Sequence, residues 1–186
     1  MVKTALLLTF FFSFSVLCLA QEGIYNAKSS LVVFKSDAPL EDIKAESKML
    51  RGVIKPATKE FSFSVDIESF TGFNSDLQRI HFQENYMDEP AFPKAKFQGK
   101  IIEDNLFDAP GTYSVRAKGM LDIHGVQKER IIKGTLKVEN GTAHLESTFS
   151  VPLSDHNIEI PKLVNQKIAE DITVTISIEF VKNSKS

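Results

Sequence analysis

Cysteine occurs once in the 186 residues, at Cys18, and tryptophan is missing altogether. No disulfide can form within the chain, so its stability has to come from a packed core. Neither sign of charge prevails: 22 Lys and Arg stand against 24 Asp and Glu, scattered without a basic run, which argues against nucleic acid as a partner. Enzyme signatures are missing too. There is no glycine-flanked nucleophile elbow, no phosphate-cradling loop, no glycine-rich dinucleotide turn and no His-Glu pair at zinc-protease spacing. His81, His124, His144 and His156 lack short ligand spacings, so neither a metal nor any other cofactor is expected. Ser154-Asp155-His156 has the residue types of a triad, but consecutive side chains cannot converge on one reacting atom, and the run reads as a turn.

A long apolar stretch occurs at the N-terminus and nowhere else. Lys3 precedes an apolar run over residues 5–12, with Thr9 its one polar member, followed by small residues and Cys18-Leu19-Ala20. This is the pattern of a secretory signal peptide over residues 1–20, with cleavage after Ala20 and a mature chain that starts at Gln21. The alternative, a membrane anchor, meets a stretch at the short limit for spanning a bilayer. A lipid-modified Cys18 is disfavoured by Leu17, which stands where a small residue is needed. The expected location is the periplasm or the extracellular space, with no integral membrane segment once the signal is removed. About 165 residues then form a single domain, 21–186, with a net charge of −3 after loss of Lys3.

What the chain has in abundance is alternation of period two, the mark of strands with one buried face. Phe61, Phe63, Val65 and Ile67 alternate with Ser62, Ser64, Asp66 and Glu68. Further strands follow in Lys94–Ile101, Thr112–Ile123, Ile132–Val138, Ala143–Val151 and Ile172–Phe180, preceded by a bent first strand in Ile24–Phe34 and an extended run in Ile43–Ile54. Turns are predicted at Lys55–Lys59, Asp108–Gly111, His124-Gly125 and Glu139-Asn140-Gly141, the last a strong hairpin signal. Asn140 also opens a formal glycosylation acceptor, which its role as a turn residue explains equally well. About eight strands joined by short turns make an up-and-down antiparallel barrel, an all-β fold.

One stretch breaks the rhythm. Between Ser69 and Gly99, Leu77, Ile80 and His81 fall at helical spacing behind Asn74 and Ser75, while Pro90 and Pro93 forbid a long helix. A short aromatic-rich helix inserted between strands either plugs a barrel end or lines the mouth of a cavity. The inward phase supplies a second clue: Ala95, Gly99, Ala117, Gly119, Gly134 and Ala143 come from four successive strands and are all small. An eight-stranded barrel is just wide enough to be filled by side chains or to hold one ligand. Small inward residues permit the second state, although glycines also serve strand bending.

Two elements carry a resemblance. Phe92-Pro93-Lys94-Ala95-Lys96-Phe97 and Gly119-Met120-Leu121-Asp122-Ile123-His124-Gly125-Val126-Gln127-Lys128 resemble the Y-P-x-x-x-F and G-x-L-x-x-H-G-x-T-K elements of the YceI-like family. Phe92 replaces the usual tyrosine and Gln127 the usual threonine. The segment Leu153–Ile158 departs from the family's Arg-x-x-[Phe/Tyr]-Gly. The resemblance implies an extended, lipocalin-like, eight-stranded antiparallel barrel with a short helix between strands. It also implies an exported carrier or binding protein that holds a long amphiphilic lipid, of polyisoprenoid, quinone or fatty-acid type, in its lumen without catalysis. On this reading Phe61, Phe63, Val65, Phe97 and Gly99 contact the lipid from the first strands. Ala117, Leu136, Phe149 and Ile176 do so from the later ones, and Ile80, His81, Phe82 and Tyr86 from the insertion. A polar head would sit near His81, Asn85 or Tyr86. The competing reading is a filled barrel acting as a protein-interaction module of the cell envelope, with Ile102 and Met120 outside; a homodimer is left open by both.

Overall fold

The computed structural model describes residues 23–139 and 141–183. The expected signal peptide with Cys18, its cleavage site, and Asn140 with its acceptor motif lie outside the described residues. Among those residues, no helix is long and apolar enough to cross a membrane.

The period-two segments form nine antiparallel strands: β1 (Ile24–Asp37), β2 (Asp42–Ser47), β3 (Arg51–Lys55), β4 (Glu60–Asp66), β5 (Lys94–Ile101), β6 (Gly111–Ile123), β7 (Val126–Glu139), β8 (Thr142–Pro152) and β9 (Asp171–Asn183). β2 pairs with Val32–Asp37 of β1 and β3 with Tyr25 and Asn26. The two short strands are thus halves of one stave, interrupted at residues 48–50, and the extended run predicted over Ile43–Ile54 is this broken stave. Ser47 accounts for the break. It is buried, its hydroxyl shares a 2.7 Å hydrogen bond with Ser69 Oγ, and it accepts a bond from the Met49 amide at 3.1 Å. Consecutive staves pair in chain order, and β9 returns to β1 from Asn183↔Ile24 to Thr173↔Lys35. The result is a closed eight-stranded antiparallel barrel with one short helix.

The barrel has two unlike ends. At one, Phe61, Leu136, Val138, Ile178 and Phe180 meet across the lumen and fill it. The turn predicted at Asp108–Gly111 is here the last part of a longer connection. β5 stops at Ile101, and residues 102–110 fold back over the barrel end. Leu106 is buried in the core and the Phe107 ring lies 4.6 Å from that of Tyr25. The apolar pair Leu106-Phe107 has no place in a solvated hairpin, and covering the core end removes it from water.

The opposite end receives the insertion. β4 leaves the sheet in a 3-10 turn, Ile67–Ser69, and Thr71 takes over as neighbour of β2 through reciprocal bonds with Glu46 of 2.8 and 2.9 Å. The helix α1 (Asp76–His81) starts at Ser75, whose hydroxyl accepts the Gln78 amide at 3.2 Å, as an N-cap does. A π-helical turn, Phe82–Tyr86, follows before the chain re-enters the sheet. Four rings hold this insertion to the rim. Phe82 stacks on Phe34 of β1 at 5.1 Å between centroids, and Phe70 and Phe73 pack on the same pair at 5.2–5.9 Å.

Candidate functional site

Behind that four-ring roof the lumen is not filled. A cavity of about 540 Å³ runs from the floor of the insertion down to the filled end. Phe63 and Phe97 form its base and pack in turn on Phe61 and Phe180. Ala95, Ala117 and Gly134 line the wall on β5, β6 and β7, and Phe149 and Ile176 line it on β8 and β9. Small side chains on three adjacent staves are what leave the space open. Charged groups border the cavity at few points, among them Glu41 and Lys167 at the mouth. There Gln78 Nε2 donates to Glu41 Oε1 at 3.0 Å, tying α1 to the β1–β2 turn.

Nine of the thirteen residues expected to face a ligand line this cavity: Phe63, Val65, Phe97, Ala117, Phe149 and Ile176 on the strands, and His81, Phe82 and Tyr86 on the insertion. Four do not. Phe61 and Leu136 are inward as expected but belong to the filled end, where neighbouring bulk covers them. Gly99 stands opposite Gly119, and a Cβ on either would run into the facing backbone, so this pair sets a close approach of β5 and β6 and not a wall of the lumen. Ile80 lies on the outer face of α1 and is exposed. The roof residues Phe34, Phe70 and Phe73 were absent from the expected set although all three line the cavity.

The motif residues lie beside the cavity and brace it. His124 and Gly125 have φ of 53° and 71° and make the tight turn between β6 and β7. A Cβ on Gly125 would strike the Phe92 ring, which meets the His124 ring edge-on at 5.0 Å. His124 Nδ1 lies 3.1 Å from the carbonyl oxygen of His156, a distance at which the nitrogen donates. His156 in turn is fully buried, and its Nδ1 donates to the Val126 carbonyl at 3.0 Å. The Phe-Pro element, the His-Gly turn and the segment after β8 therefore lock together at the hollow end, which accounts for the two elements occurring as a pair.

A family model for the YceI-like domain matches residues 25–180. The chain belongs to the YceI-like family. Among solved structures it is similar to a polyisoprenoid binding domain from Saccharophagus degradans, implicated in plant cell wall breakdown, with a TM-score of 0.73 at 15% identity over 86% of this chain and 98% of the other. It is similar also to BcnA of Burkholderia cenocepacia, with a TM-score of 0.67 at 16% identity over 81% and 95%. The Campylobacter jejuni YCEI protein follows with a TM-score of 0.60 at 15% identity over 76% and 85%. Identities this low speak for the fold alone. No curated protein matches the chain.

Burial holds two titratable groups at the hollow end of this YceI-like barrel in their neutral forms. Burial pushes the Tyr86 phenol above its ordinary value, so it meets the cavity as a neutral hydroxyl. Burial also holds the His156 imidazole below its ordinary value, against the weaker opposing pull of the Val126 carbonyl, and the ring is neutral at pH 7. No group of three or more His, Cys, Asp or Glu side chains is gathered closely enough to hold a metal among the described residues. His144 sits on the outer face, 3.2 Å from Glu146 Oε1. Leu153–His156 is a 3-10 turn whose histidine is committed to packing.

Proposed function

We propose that this protein is an exported, non-catalytic carrier that holds one long amphiphilic lipid, of isoprenoid or acyl type, in the hollow end of the barrel. The observation that carries the reading is the cavity itself: about 540 Å³, lined mostly by apolar side chains, with Glu41, Gln78 and His81 of the β1–β2 turn and the insertion among its polar ones. Its size falls within the range of about 300–1,000 Å³ usual for small-molecule sites. Affinity comes from burial, since each methylene removed from water contributes roughly 0.8 kcal/mol. A dozen methylenes supply on the order of 10 kcal/mol before the cost of ordering the chain, so few polar contacts are needed. The lipid tail lies between the small residues Ala95, Ala117 and Gly134 and the Phe149–Ile176 wall. Its polar head lies toward His81 and Tyr86.

The similarity to a polyisoprenoid binding domain supports this lipid class. The filled-barrel alternative describes the Phe180 end and leaves the other end unexplained. Mass spectrometry of an organic extract of the purified protein tests the proposal. A stoichiometric lipid with a long apolar chain is the expected result, and a clean extract from protein that also fails to bind a fluorescent polyene would overturn it.

A further inference from the structure

The chain between β8 and β9 forms a finger beside the cavity mouth whose sides face opposite ways. Pro161–Lys167 makes two successive turns, closed by Val164 N to Pro161 O and Lys167 N to Val164 O, both at 2.9 Å. Val164 and Ile168 point into the cavity. Leu163, at the tip, is 95% exposed. One exposed leucine needs no explanation, but several brought to one rim mark a surface that something covers.

Leu163 does not stand alone. Leu40, 66% exposed, sits on the β1–β2 turn, and its amide donates to Gln166 O of the finger at 2.9 Å. Leu77, 60% exposed, begins α1 next to Gln78, which bonds Glu41 of that same turn. Three segments remote in sequence thus carry exposed leucines to one rim. The charge of the finger points to the occupant. Lys162 and Lys167 flank Leu163, no acidic residue lies between Pro161 and Ala169, and neither lysine is ion-paired among the described residues, whereas Leu40 and Leu77 have Glu41 and Asp76 as neighbours, so the basic charge of the rim is confined to the finger. An apolar tip flanked by unpaired lysines, as Leu163 is, suits a bilayer surface with anionic headgroups, where leucine enters the acyl boundary and lysine stays among the phosphates.

We infer that the rim formed by Leu40, Leu77 and the Lys162–Lys167 finger docks on an anionic lipid bilayer, bringing the cavity mouth against the membrane. The inference rests on the lipid-carrier reading for its purpose but not for its geometry. A docked barrel would exchange its guest without passing an apolar chain through water.

The test is co-sedimentation of the purified protein with phosphatidylcholine vesicles, with and without phosphatidylglycerol. Leu163→Ser and Lys162→Glu are compared with the wild type, and binding of a fluorescent polyene in vesicle-free solution is measured alongside. The expected result is partition that needs phosphatidylglycerol and weakens with salt, reduced about tenfold by Leu163→Ser and about fivefold by Lys162→Glu, with polyene binding unchanged. Wild-type protein that ignores vesicles of both kinds would overturn docking, as would a Leu163→Ser variant that partitions normally. Light scattering covers the other occupant: concentration-dependent dimers abolished by Leu163→Ser would assign the rim to a second copy and overturn the bilayer reading. Vesicle binding without polyene binding would reject the lumenal reading and leave docking standing.

Discussion

At one end of the barrel Phe61, Leu136, Ile178 and Phe180 fill the lumen; at the other, the same staves leave a cavity of about 540 Å³. The difference lies in what each strand sends inward as it rises. β6 carries Val115 toward the filled end and Ala117 at the cavity wall, and β7 passes from Leu136 to Gly134 within one inward step. Both ends are also roofed, but unlike each other. Leu106 and Phe107 from a loop of residues 102–110 close the filled end, while the hollow end is roofed by an insertion whose rings touch the rim on one side and the void on the other. One end therefore carries the stability of the fold, and the other gives up packing to keep space.

Truncation at the filled end should show the largest effect. Phe180→Ala removes a ring with 0% exposure, and the cavity left should cost about 3–5 kcal/mol, read as a large fall in the midpoint of denaturant unfolding. A loss under about 1 kcal/mol would mean the two ends do not differ as described.

Ala117→Phe makes the reverse change at the hollow end. The phenyl ring enters existing space, so delipidated protein should melt no lower than wild type while binding of a fluorescent polyene disappears. A packed lumen predicts the opposite, an overpacking cost of roughly 1–3 kcal/mol. Thermal unfolding and probe titration on the same samples separate the two.

Gly125→Ala attacks the brace between the ends of β6 and β7. At φ of 71° an alanine is strained by about 1–2 kcal/mol, and its Cβ also displaces the Phe92 ring. Moderate destabilisation with a measurable loosening of probe binding is expected, because Phe92 and His124 hold the cavity end together; unchanged probe affinity would confine the turn to a folding role.

The smallest effect is in pH. Burial lowers the His156 pKa in the folded state, so below its ordinary value of 6.5 the unfolded chain takes up a proton that the folded chain refuses. Its contribution to stability is full above that value and is lost as the pH falls through the folded-state pKa. His156→Gln should flatten this slope in thermal melts run from neutral to mildly acidic pH. An identical slope in the variant would assign the acid sensitivity to other groups.

Most strands could be read from period two because side chains on a pleated strand have no other way to divide between core and water. The short helix behind Asn74 and Ser75 was legible for the same local reason, and the structure makes Ser75 its cap. Phe34 was not. Between Ala27 and Ser29 the β1–β9 register shifts by a bulge, so Tyr25 and then Val32 and Phe34 all point inward although their numbers differ in parity. In the sequence this appears as mixed alternation and hides the residue that anchors the roof. Ile80 was misplaced because helical spacing gives a face but not its direction. Here the four-ring contact turns Phe82 inward and leaves Ile80 in water.

Local chemistry, then, was enough to mark most of the strands, their turns and the aromatic insertion, since alternation, turn residues and caps each act within a few positions, while closure came from β9 returning to β1 across the length of the chain. Register decided the rest. Whether a small residue becomes cavity or contact depends on what stands across from it: Gly99 meets Gly119 and the backbones close together, whereas Ala117 pairs with Ile132 and Ile101 along the sheet and faces open space across the lumen. That choice belongs to staves brought together from distant parts of the chain, and no window of sequence contains both sides of it.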